Sequence, residues 1–178
     1  ADLLGYKNRA GARGVERFMK HYYLTAKEIG DLTRIFCAAL EAENQRKPRF
    51  RLPSLTILQR SVDGFEVQGG WLSITNNRDL RDDPIKILRL FHSAQAAKLD
   101  IHPKALKAIT RSLNVVDTIR DNPEANRILI EILTSKKDPE TTLRRMNEAG
   151  VLGRFVPDFG RVVAQMQHDM YHVYTVDE

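Results

Sequence analysis

VERFMKHYYLTAKEIGDLTRIFCAALEAE, residues 15–43, is the stretch on which the reading of this chain turns. Val15, Phe18, Met19, Tyr22, Ala26, Ile29, Thr33, Phe36 and Leu40 advance by three or four, which places them on one face of a long helix. Gly11 and Gly14 mark its approximate start, and Pro48, within NQRKPR, forbids its continuation. Gly30 is its weak point, because glycine costs up to about 1 kcal/mol in a helix interior. Ile35, Cys37 and Ala39 widen the apolar stripe, so the end of the helix is expected to be the more deeply buried part. Free cysteine is among the most buried residue types, and Cys37 accordingly reads as core filling rather than a nucleophile.

The texture then changes. SLTILQRSVDGFEVQGGWLSITN, residues 54–76, is rich in β-branched and aromatic residues. Phe65 and Val67, then Leu72 and Ile74 across Gly69-Gly70, predict a single β-hairpin standing out from the helices. Helical spacing returns from Pro84 to the end. Asp82 or Asp83 with Pro84 begins one helix, whose inward face carries Ile85, Leu88 and Phe91. Residues 101–121 predict a second, Asn122-Pro123 starts a third, and a fourth stops near Gly150, with a turn and a further helix after Pro157. The fold class expected is all-α: an antiparallel helical bundle with a long first helix and a small β-hairpin insertion.

Composition bounds the function. The chain has 178 residues, 42% apolar and 29% charged, which suits a soluble globular domain. No apolar run reaches the length of a membrane span, and the N-terminus lacks a signal-peptide pattern. A single cysteine excludes an internal disulfide and favours a cytoplasmic setting. A net charge of +5 is too small to argue for nucleic acid. The missing initiator Met suggests a piece of a longer chain.

Chemical motifs are few: no phosphate-binding glycine loop, nucleophile elbow or Cys-rich metal spacing occurs. His92 and His102 read as structural. Arg13, Arg17 and Lys20 stand three or four apart and form a basic stripe beside the apolar face, either facing phosphate groups or solvating the helix. His168 and His172 share a helix face, with Asp169 adjacent, but a metal site needs at least three converging ligands. No catalytic or metal-ligating residue is assigned.

Three blocks, GARGVERFMKHYY (11–23), DPIKILRLFHSA (83–94) and RRMNEAGVLGRFVPDFGRVVAQMQHDMYHVYTVDE (144–178), occur in an order and spacing that resemble the bifunctional uridylyltransferase/uridylyl-removing enzymes of bacterial nitrogen regulation. The resemblance implies an upstream nucleotidyltransferase domain whose paired acids hold Mg²⁺, a helical linker domain at residues 1–163, and at 164–178 the entry to an HD phosphohydrolase domain. It implies a parent enzyme that transfers UMP from UTP to the PII signal protein and removes it again under glutamine control. In that family the first HD-domain metal ligand is a histidine directly after YTVDE, so His168-Asp169 is not the eponymous pair. By this resemblance the stretch is catalytically silent alone, needs no cofactor of its own, and places Arg13, Arg17 and Lys20 next to the transferase domain. Two other readings are a free-standing helical adaptor and the helical domain of a glutamine synthetase adenylyltransferase. The YTVDE entry argues against the latter.

Overall fold

A computed structural model describes residues 1–9, 12–44, 61–68, 70–76 and 78–163. The first long element, α1 (Gly14–Asn44), is unbroken across Gly30 and is the longest helix among the described residues. It ends four residues before Pro48. It is followed by β1 (Ser61–Val62), β2 (Phe65–Gln68) and β3 (Trp71–Ser73), then α2 (Asp79–Asp82), α3 (Ile85–Ala97) and β4 (Asp100–Ile101). Five helices complete the described chain: α4 (Pro103–Arg111), α5 (Pro123–Thr134), α6 (Pro139–Glu148), α7 (Val151–Phe155) and α8 (Pro157–Val162), with a 3₁₀ stretch at Leu113–Ile119 between α4 and α5.

The structure is mostly helical, but the expected all-α bundle with a lone hairpin is corrected. The predicted hairpin, β2–β3, is the centre of a four-stranded mixed sheet in the order β1-β2-β3-β4. β1 joins β2 through Asp63-Gly64, both at positive φ (51° and 83°), the backbone that a two-residue hairpin turn requires. β4 lies parallel to β3, with Leu72 opposite Ile101, and the His102 N–H donates to the Leu72 carbonyl at 2.8 Å. Parallel neighbours need a crossover, and α2 and α3 supply it. The sheet is no excursion from the helices, because Phe65 and Leu72 are buried in the core. Gly69 lies outside the described residues; Gly70, beside it, has φ 88°.

Helix α3 is the centre of the core. Ile87, Leu88 and Leu90 are fully buried and Phe91 nearly so. Its end is turned by Lys98, at φ 53°, whose N–H reaches the Ala94 and Gln95 carbonyls. Packed against it, α5 presents Ile128, Leu129 and Ile132, and the buried Gln95 amide donates to the Ile132 carbonyl at 3.2 Å. At the rim of the same contact Arg89 bridges Asp83 (3.1 Å) and Glu124 (2.7 Å). Asp83 is thus an ion-pair partner, not the side-chain cap that the sequence suggested; no side-chain cap bond forms at the start of α3.

Three other helix starts follow one chemistry: a polar residue, then proline at the first helical position. The Asn122 side chain accepts from Glu124 and Ala125, that of Asp138 from Thr141, and His102 Nδ1 from the Lys104 N–H. The helix expected over 101–121 is instead split at Ser112, α4 giving way to the 3₁₀ stretch. The turn expected after Gly150 contains the short helix α7.

The second correction concerns α1. Its later part is exposed rather than buried: Phe36, Cys37 and Leu40 all face solvent, so Cys37 is not core filling. The core accommodates no side chain from this region, because it closes entirely between Phe65 and Phe155. No described helix is long and apolar enough to cross a membrane.

Two measurements test this account in residues 1–178. Phe91→Ala should lower the unfolding free energy by about 3–5 kcal/mol, whereas Phe36→Ala should cost less than about 0.5 kcal/mol, both read from urea titrations. The second concerns acid. Burial, and secondarily the Lys104 charge, holds the His102 imidazole below its ordinary value of 6.5. Above that value the imidazole is neutral in the folded and unfolded states alike. As pH falls below it the unfolded chain takes up the proton first, so His102 costs stability on acidification. His102→Asn keeps a capping oxygen without titrating, and should flatten the decline of melting temperature below pH 6.5 relative to the unchanged chain.

Candidate functional site

Only the start of α1 gathers the residues singled out by charge. Here the first nine residues fold back along the helix. Asp2–Leu4 makes a short 3₁₀ turn ended by Gly5, and the Tyr6 ring then packs edge-on to Phe18 with centroids 5.4 Å apart. The Tyr6 hydroxyl meets His21 Nδ1 in a short contact. Asn8 Oδ1 accepts from the Gly14 N–H at 2.7 Å. A Cβ added at Gly14 would stand 2.2 Å from the Tyr6 carbonyl oxygen, so the close approach of this segment requires glycine there.

Arg13 stands at the cap position. The Glu16 side chain reaches back to accept from the Arg13 N–H (2.9 Å) and from Arg13 Nε (2.9 Å), half of a capping box joined to an ion pair. Arg17 Nη1 donates to the Lys7 carbonyl at 2.7 Å. Lys20 Nζ donates to the Arg161 carbonyl at 3.2 Å and so ties α1 to α8. Glu16 offsets the charge of Arg13; the two carbonyls orient Arg17 and Lys20 and leave their charges uncancelled. At 100° per residue these three positions lie across the helix from Tyr22 and Ile29, not beside them. Each cation therefore has a structural task, and holding the folded-back segment and α8 onto α1 is common to two of them.

Tyr6, Asn8, Gly14, His21 and Arg161 belong to this arrangement and escape a reading of charge spacing. Glu three residues after Arg13 was the one legible signal, since an acid at that position marks a helix start. The other sequence candidates are dispersed. His92 lies on α3, 3.6 Å from Glu131 of α5, and His102 caps α4 beside Trp71. Both have structural partners. His168, Asp169 and His172 lie outside the described residues. Among the described residues no group of three or more His, Cys, Asp or Glu side chains converges on a point where a metal would sit.

Comparison with known proteins separates two parts of this chain. Residues 65–155 match the family described as the uridylyltransferase GlnD third domain, and residues 1–37 match the family described as GlnD PII-uridylyltransferase. The chain belongs to the GlnD uridylyltransferase family. Over 99% of its length it is 64% identical to the bifunctional uridylyltransferase/uridylyl-removing enzyme of Azospirillum brasilense. Over its full length it is 50% identical to the enzyme of the same description from Rhodospirillum rubrum. The chain spans 19% of the length of each of these relatives. No solved structure matches it. The GlnD third-domain match begins and ends on the first and last buried core residues, Phe65 and Phe155.

Gly14→Ala should displace the Tyr6–Asn8 segment while sparing that core. Expected are the loss of Tyr6–Phe18 contacts in NMR spectra and an unchanged unfolding midpoint for residues 65–155; a melting temperature that falls with the NMR contacts would contradict the separation.

Proposed function

We propose that this chain is part of a bifunctional enzyme that attaches UMP to the PII signal protein and removes it, and that residues 1–163 are a scaffold between the two activities. The observation that carries this reading is identity of 64% over 99% of the chain to a relative bearing that description. At such identity the core side chains and the fold-back at α1 would be shared. The same match favours this reading over an adaptor or an adenylyltransferase domain.

In this reading UTP is the donor, glutamine the signal and the cytoplasm the location. Residues 164–178 lead into the hydrolytic HD domain. Carboxylates holding Mg²⁺ would align the phosphates of UTP and stabilise charge on the transferred group. The described residues offer no such cluster, so the metal and the reacting phosphorus are assigned to other domains and no step is routed through this one. Its contribution is positional. A scaffold keeps each reacting centre within the sub-ångström tolerance that catalysis demands, and the packed α3–α5 core supplies the stiffness. Arg17 and Lys20, oriented but not neutralised, would lie next to the transferase domain.

The test compares residues 1–178 with the full-length polypeptide. Each is given UTP, Mg²⁺ and unmodified PII, and separately uridylylated PII with Mn²⁺. The full-length protein should perform both reactions and the shorter chain neither. UMP transfer or release by purified residues 1–178, lost on His168→Ala, would overturn the scaffold assignment, and inactivity of the full-length protein would overturn the enzyme itself.

A further inference from the structure

The large apolar side chains that are buried among the described residues all lie between Phe65 and Phe155, and the GlnD third-domain family matches that same span. Helix α1 lies outside it. Its first part belongs instead to the match over residues 1–37. Apart from Gly14, none of its described residues is buried. Yet Tyr22, Ile29, Phe36 and Leu40 follow one another at seven, seven and four residues and share one side of the helix. Leu32 flanks them. Ile29 is 60% exposed, Leu32 68% and Phe36 63%. Between them Ala26 is small, and Thr33 gives its hydroxyl to the Ile29 carbonyl at 2.8 Å, leaving its methyl as the outward chemistry. Single exposed apolar residues are ordinary; a continuous stripe along more than four turns marks a contact surface.

We propose that this stripe of α1 is the seat of the rest of the same polypeptide, the portion outside residues 1–178. Three observations select that occupant. The relatives are about five times longer than this chain, so most of the protein lies beyond it. The family match over residues 1–37 groups α1 with a unit other than the 65–155 core. The stripe itself presents Tyr, Ala, Ile, Thr, Phe and Leu with no formal charge, which suits an apolar protein face and not a nucleotide or an acidic peptide. α1 then acts as a shared element: its basic start holds the fold-back and α8, and its apolar length carries another domain. The proposal rests on the chain being one part of a longer polypeptide, not on that polypeptide's activity.

A photo-cross-linking experiment in the full-length protein tests it. p-Benzoylphenylalanine replaces Phe36, and in a second protein Ile29, so that one misfolded substitution does not decide the result. After irradiation of purified protein, with and without PII, cross-linked peptides are identified by mass spectrometry. Expected is a cross-link within one molecule, from the probe to a peptide outside residues 1–178. Cross-links confined to residues 1–178, cross-links only between two copies, cross-links only to PII, or none from either position would each overturn the proposal. If cross-links form as expected but UMP transfer and removal are absent, the packing stands and the functional reading fails.

Discussion

Helix α3 carries Ile87, Leu88, Leu90 and Phe91 at or near complete burial, and these positions spread around more than half of the helix circumference. A helix apolar over so wide an arc must be covered on more than one side. Here the sheet covers part of it through Phe65 and Leu72, and α5 with α6 covers the remainder through Ile128, Ile132 and Met146. The neighbouring features follow from that demand. A lone hairpin is too small and too weak to cover a helix. β1 and β4 widen it on either edge, β4 being laid down by the chain as it leaves α3. The polar groups at this contact are satisfied within it: Ser93 Oγ donates to Asp63 Oδ2 of the β1–β2 turn at 2.7 Å, and the Gln95 amide to the Ile132 carbonyl. Both bonds tie α3 to the layers that cover it.

The C-terminal helices of the described chain are held by a different device. Arg154 of α7 makes two bonds to Asp117, Nε to Oδ1 at 2.9 Å and Nη2 to Oδ2 at 2.7 Å, and Arg120 shares the same carboxylate. Planar bidentate geometry fixes orientation as well as distance. It locks α7 onto the 3₁₀ stretch, and through α7 it fixes α8, whose Arg161 carbonyl receives Lys20 of α1. A chain of contacts therefore connects the core to the start of the long helix. A scaffold that must hold two sites apart needs such continuity, because a loose joint anywhere along it would spoil the alignment at both ends.

Two kinds of surface result. The 65–155 core closes on itself, while α1 reaches roughly 45 Å at 1.5 Å per residue and keeps an apolar side that this core does not use. A helix of this length with one apolar stripe is the pattern of an element buried on one side, and in this chain that stripe is left in solvent. The division follows the two family matches, which treat residues 1–37 and 65–155 as separate units.

The sequence by itself determined the local elements. Three- and four-residue spacing was enough to mark α1, α3 and α5, and Asn122-Pro123 and Asp138-Pro139 to mark helix starts, because backbone geometry and capping are decided within a few residues. The hairpin turn at Asp63-Gly64 was equally legible, as Asp-Gly between Val62 and Phe65 is a strong local signal, but it was passed over in favour of Gly69-Gly70. Only the tertiary structure decided the rest. β4 is two residues long and exists because Leu72 and Ile101 meet across a crossover, a pairing between residues far apart in sequence. The break at Ser112 lies in a stretch whose apolar periodicity continues, so packing and not spacing ends α4. Periodicity likewise shows that α1 has an apolar side without saying what lies against it, so Cys37 and Phe36 were expected inside. At the α1 start, spacing brought Arg13, Arg17 and Lys20 together as charges. Their partners, Glu16 and the Lys7 and Arg161 carbonyls, follow from where the folded-back segment and α8 come to rest, and that depends on the core those elements are fastened to.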